Sequence, residues 1–223
     1  MGSMDGAAYM ARWREQIAAM EGSGEYEIRW KPNGGSQPGD PEDIEHELAS
    51  EPGMGVVRIP DDFRSFYLVA NGFYLYWVSE VKADTDMKSI ARGQALIAHL
   101  SQLYEPVDRL ERGEPGPIPY GSLYEDYRVL DYIAGEDQVV LRFYRERQDP
   151  DFYYYVHETR THHRLSLDFA SYMDLLLESR GLRRWQQFFI VDPQARIAPD
   201  WAEWFHANLA RLFPDADASR FRR

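Results

Sequence analysis

After Tyr127 the apolar residues of this chain change their period to two. Tyr127 to Ala134, Gln138 to Tyr144, Phe152 to His157 and His162 to Leu165 are rich in β-branched and aromatic residues. Gly135-Glu136-Asp137, Gln148-Asp149-Pro150 and a polar turn near Thr159-Arg160-Thr161 separate them. Connections this short join only antiparallel neighbours, so the pattern predicts a four-stranded antiparallel meander. A sheet of this kind must bury one face, and the surrounding sequence supplies helices to cover it.

The helical segments lie on both sides of the meander. Tyr9, Trp13, Ile17 and Met20 recur at helical spacing near the start of the chain, and Asp40-Pro41 opens a second helix. A third begins at Pro60, carries Phe63, Phe66, Tyr67 and Ala70, and stops at Asn71-Gly72. Phe73 to Val78 then reads as a strand with two apolar faces, hence a central one, and Tyr26 to Trp30 as a short strand. Residues 82–104 fit a strand followed by a short helix about as well as one continuous helix. Residues 105–123 hold four prolines and read as a long irregular connection. Ser166 is placed to cap a helix carrying Phe169, Tyr172, Met173, Leu176 and Leu177 up to Gly181, and Trp201, Trp204, Phe205, Leu209 and Leu212 mark a last helix behind Pro199.

Composition narrows the function. The chain has 223 residues, 37 Asp and Glu against 25 Lys and Arg, and a formal charge of −12. Such a surface repels phosphate backbones, so nucleic acid is not an expected partner. Without cysteine there is no disulfide, thiolate metal site or cysteine nucleophile, which fits a reducing compartment. No apolar run reaches the length of a membrane span, and the N-terminus lacks the basic and apolar stretches of a secretion signal. The expected location is cytoplasmic.

Catalytic constellations are scarce. His157-Glu158 with His162 and His163 is the most metal-like set, but its second His follows at i+5 on a hairpin instead of i+4 on a helix. No Gly-x-Ser-x-Gly elbow, P-loop or Gly-x-Gly-x-x-Gly turn occurs. The reading is therefore of no catalytic residues, no metal and no cofactor. Arg180, Arg183 and Arg184 read as helix-end charge. In Phe152-Tyr153-Tyr154-Tyr155, strand alternation puts Tyr153 and Tyr155 on the face opposite Phe152 and Tyr154.

The stretch from Ile59 to Phe73, Ile-Pro-Asp-Asp-Phe-Arg-Ser-Phe-Tyr-Leu-Val-Ala-Asn-Gly-Phe, resembles the signature of the SMI1/KNR4 (SUKH) superfamily. Leu165-Ser166-Leu167-Asp168-Phe169 is similar to that family's closing element. The resemblance spans roughly Asp40 to Gly181. It implies an α+β domain without catalytic residues, in which Pro60, Phe63, Phe66, Asn71, Gly72, Trp77 and Phe169 are structural. Bacterial members are commonly immunity proteins that neutralise secreted polymorphic toxins, often nucleases or deaminases, and fungal members are regulatory scaffolds.

The expectations are then an α+β fold, an antiparallel meander flanked by helices with extra N- and C-terminal helices. Residues 1–39 form an extension, 40–181 the SMI1/KNR4-like domain, and 182–223 a helical extension packed on it. The expected function is non-enzymatic binding of a toxin domain, with a regulatory interaction scaffold as the alternative. Glu125, Asp126, Asp131, Glu136, Asp137, Tyr153 and Tyr155 are the expected partner-binding residues, because an acidic surface steers a basic partner and tyrosine anchors interfaces.

Overall fold

The computed structural model describes residues 5–30, 40–50, 59–79, 90–100, 103, 127–133, 137–144 and 147–222. Helix α1 (Gly6–Ser23) starts where the Asp5 carboxylate accepts hydrogen bonds from the amides of Ala7 and Ala8, at 2.9 and 3.1 Å. Its apolar side buries Tyr9, Met10, Trp13, Ile17 and Met20, with the Trp13 ring 5.2 Å from Phe73 of the sheet. The segment expected as an extension is thus built into the central core.

Strand β1 (Tyr26–Trp30) leads to α2 (Pro41–Ser50) and α3 (Asp61–Tyr67). Glu45 of α2 accepts from the Ile59 amide at 2.6 Å and forms an ion pair with Arg64, which ties these two short helices together. The bend after α3 reaches Gly72 at φ 78°, where a Cβ would lie 2.5 Å from the Ile97 carbonyl oxygen, so only glycine fits. Beside it the Asn71 side-chain oxygen Oδ1 accepts from the Leu100 amide at 2.7 Å. Asn71-Gly72 therefore seats the chain against the strand that ends at Ile97.

The sheet has seven strands in sequential order: β1, β2 (Phe73–Ser79), β3 (Arg92–Ile97), β4 (Tyr127–Tyr132), β5 (Gln138–Tyr144), β6 (Arg147–Val156) and β7 (Thr161–Arg164). Every neighbouring pair is antiparallel. Of the two readings open for residues 82–104, Arg92–Ile97 follows the strand. Gly93 is poor in a helix and here lets the Trp77 indole lie against the backbone, since a Cβ would come within 2.3 Å of Trp77 Nε1. Gln148, Asp149 and Pro150, expected as a connection, belong to β6. Proline is tolerated there because the β5–β6 register shifts between Arg142 and Tyr144.

Helices α1, α3, α4 (Phe169–Ser179) and α5 (Pro199–Leu212) all bury their apolar residues in one cluster on one face of the sheet. Phe73, Leu75 and Trp77 of β2 point into it, whereas Tyr74, Tyr76 and Val78 on the other face are half-buried. Phe63 of α3 stacks on Phe169 of α4 at 3.8 Å, and Trp77 donates its indole N–H to the Arg180 carbonyl at 2.8 Å. Asp168, not Ser166, caps α4, accepting from the Ser171 amide at 2.8 Å. Ser166 instead donates its hydroxyl to the Phe189 carbonyl.

The sheet is not uniform. The β2–β3 ladder runs unbroken from Phe73↔Ile97 to Val78↔Arg92, but β3 and β4 share only Ile97↔Asp131. Two side chains bridge the gap: the Asp131 carboxylate accepts from the Leu96 amide at 3.0 Å, and Gln94 donates to the Tyr132 carbonyl at 2.9 Å. The turn after α4 fills the rest. There Gly181 accepts from the Gln94 amide at 2.8 Å, and Leu182 forms an antiparallel bridge with Gly93.

Asp131 corrects an expectation. Strict alternation would set it beside Tyr127 and Val129, but a bulge between Val129 and Asp131 inserts Leu130 and turns Asp131 toward the helices. The residue is 1 % exposed, and it takes the Tyr172 hydroxyl hydrogen bond from α4 at 2.5 Å. Burial pushes its carboxyl up to about 7, although the bonds from Tyr172 and Leu96 favour the charged form. Asp131 therefore presents no charge to a partner. It holds the seam.

Candidate partner-binding site

The face of the sheet opposite the helices carries its own small cluster. Tyr127 and Val129 of β4, Val140 of β5 and Tyr155 of β6 are buried in it, with Tyr132 and Tyr153 half-buried at its margin. The alternation of β6 does the sorting. Phe152 and Tyr154 turn into the helix-covered core, Tyr153 and Tyr155 into the second cluster.

Rings organise this cluster. Tyr153 meets Tyr127 edge to face at 5.4 Å, the favoured geometry for an aromatic pair. His162 of β7, paired with Tyr155 in the ladder, stacks on Tyr127 at 4.6 Å and lies 4.8 Å from Tyr155. The Arg142 guanidinium sits over the Tyr127 ring at 5.7 Å. His162 and Arg142 were not among the expected site residues. Their parity on β7 and β5 was the available signal, since each shares a face with Tyr127 and Tyr155.

The remaining expected residues divide. Asp137, half-buried where β5 begins, accepts from the Tyr154 hydroxyl at 2.8 Å and from the His157 amide at 3.3 Å. Burial, followed by the Asp137 charge, raises the Tyr154 pKa, so its hydroxyl keeps the proton that it donates. Gln187 donates to the same Tyr154 oxygen at 3.1 Å. The structure thus brings Tyr153 and Tyr155 together, places Asp137 across the strand from them, and sends Asp131 into the core. Tyr155 is 2 % exposed, so within the pair Tyr153 is the one with surface to offer. Glu125, Asp126 and Glu136 lie outside the described residues.

The four-residue His and Glu set does not converge. The β6–β7 register puts His162 opposite Tyr155 on the second face and His163 opposite Tyr154 on the other. Among the described residues no three His, Asp or Glu side chains are grouped to hold a metal ion. His163 instead shares a hydrogen bond with Thr161 at 3.2 Å and borders a shallow cavity of about 350 Å³ with Gln187, Asp192 and Gln194.

Fold and site together define an α+β protein whose antiparallel sheet has one helix-packed face and one ring-rich face. Compared with protein-family models, with curated proteins and with solved structures, the chain matches none. No helix among the described residues is long and apolar enough to cross a membrane.

Proposed function

We propose that this chain is a non-enzymatic immunity protein of the SMI1/KNR4 type, which works in the cytoplasm by binding and neutralising a toxin domain. The observation that carries the reading is Tyr153. Its ring rests edge-on against buried Tyr127 while part of it stays accessible, so the side chain is held rigid before any partner arrives. A pre-ordered amphipathic ring costs little entropy to dock, which is why tyrosine recurs among interface anchors. The net charge of −12 adds steering toward a basic partner, such as a nuclease. The Ile59 to Phe73 motif adds a third support, because Phe63 and Phe66 form core and Gly72 has the positive φ that such a stop requires.

The test is growth rescue by this chain in cells expressing a toxin encoded beside it, together with binding of the purified pair. Tyr153→Ala is expected to weaken binding roughly thirty-fold, the loss of about 2 kcal/mol typical of an interface anchor. Reversing charge at Glu125, Asp126 and Glu136 should slow association and flatten its salt dependence. Unchanged rescue and affinity across all of these variants would contradict the reading.

A further inference from the structure

The sheet ends at β1, whose outer edge has no strand beside it among the described residues. The Ser79 amide donates to the Ala91 carbonyl at 2.9 Å, so the backbone of Ser79 faces β3, and strand alternation turns that of Val78 toward β1. Glu27 is paired with Val78 and directs its N–H and C=O to β2. Tyr26 and Ile28, one residue to either side, therefore turn theirs outward, away from the sheet. Among the described residues no backbone group outside the ladder meets them.

Charge protects an edge strand from its own copy only when like charges come face to face. Here the two charges have opposite sign and flank Ile28, Glu27 before it and Arg29 after it. In two antiparallel copies centred on Ile28, position 27 of each faces position 29 of the other, so every Glu27 meets an Arg29. Ile28 exchanges hydrogen bonds with its own copy, which leaves Glu27 and Arg29 in a non-hydrogen-bonded pair, where side chains come closest. Both side chains are about half exposed, on the face where Arg29 lies 5.5 Å over Tyr76 and pairs with Glu27 of its own strand at 2.9 Å. Ile28 leans the other way, half-buried against the helix-covered core. The bulge between Ile28 and Trp30 bends the strand beyond this point, so the seam is short and the association it gives is weak.

We propose that β1 is a self-association edge, along which two copies of this chain pair antiparallel about a two-fold axis at Ile28. The contact is isologous, the same strand being used by both copies, and it carries one sheet continuously through the pair. β1 and β6 lie far apart in the strand order, so Tyr153 stays clear of the seam in each copy. Nothing in this assignment depends on the toxin-binding reading.

The experiment is sedimentation equilibrium of the full-length protein over a concentration series, at low and at high salt. The wild type should pass reversibly from monomer to dimer, and salt should weaken the association. Glu27→Arg and Arg29→Glu should each weaken dimerisation about tenfold, because each sets like charges across the axis twice. An equimolar mixture of the two variants should restore it, since position 27 of each chain then faces the opposite charge at position 29 of the other. The Glu27→Arg/Arg29→Glu double variant, which regains both its own ion pair and the complementary seam, should dimerise like the wild type. A wild type that stays monomeric throughout, single variants that dimerise as tightly as it does, or a mixture no tighter than its components would overturn the assignment.

Discussion

The two faces of the sheet use the same kinds of residue for different ends. On the helix-covered face Trp77, Phe63, Phe66 and Phe169 interlock with residues from α1 to α5, and each is at most 3 % exposed. On the second face Tyr127, Tyr153, Tyr155 and His162 pack ring against ring in a much smaller group that keeps half-buried members. Burial against helices gives stability, whereas the ring cluster leaves Tyr153 an accessible edge, the anchor proposed for a partner. The contrast teaches that aromatic content alone does not separate a covered core from a partly open cluster. The face does.

The comparison is broken most severely at Trp77. Trp77→Ala should cost about 3–5 kcal/mol in urea unfolding, because it empties a core position and removes the indole bond to the Arg180 carbonyl. A loss under about 1 kcal/mol would show that the helix-covered face is not the stabilising one.

Asp131 sharpens the contrast through pH. Its carboxyl is raised to about 7 in the folded chain against an ordinary 3.8, so folding favours the protonated form. Stability from this group is fully present below about pH 4 and falls as pH rises toward 7, by a total on the order of 4 kcal/mol. Asp131→Asn keeps an acceptor for the Leu96 amide and cannot titrate, so its unfolding free energy should be flatter over that interval. Parallel profiles for the two proteins would place the carboxyl outside the core.

Gly93→Ala comes next. Its methyl would collide with the Trp77 indole, an overpacking expected to cost about 1–3 kcal/mol by the same unfolding assay. The smallest effect belongs to Tyr153→Ala, for which about 1 kcal/mol or less is expected because the ring is partly exposed. A larger loss would make Tyr153 a core residue and remove the distinction between the faces.

Much of this was legible in the chain. Period two after Tyr127 marks the meander, and the spacing of Phe63, Phe66 and Tyr67 marks α3, because burial imposes a repeat that local sequence must follow. The parity of Tyr153 and Tyr155 is read the same way. Asp131 was not, since a one-residue bulge reverses parity and nothing local to Leu130 announces it. The Gly93–Leu182 bridge joins positions far apart in the chain and exists only because β4 leaves β3 early. Such tertiary pairings leave no periodic trace. Asp168 as the cap of α4 was within reach, for Asp and Ser compete on equal terms at that position.

The most direct measurement is amide hydrogen exchange on this chain, alone and with the toxin domain proposed as its partner. Added protection should concentrate in β4 to β6 around Tyr127 and Tyr153 and be lost with Tyr153→Ala. Protection confined to α2 and α3, with Tyr153→Ala binding as tightly as the wild type, would contradict the assignment of the ring-rich face as the surface that meets a partner.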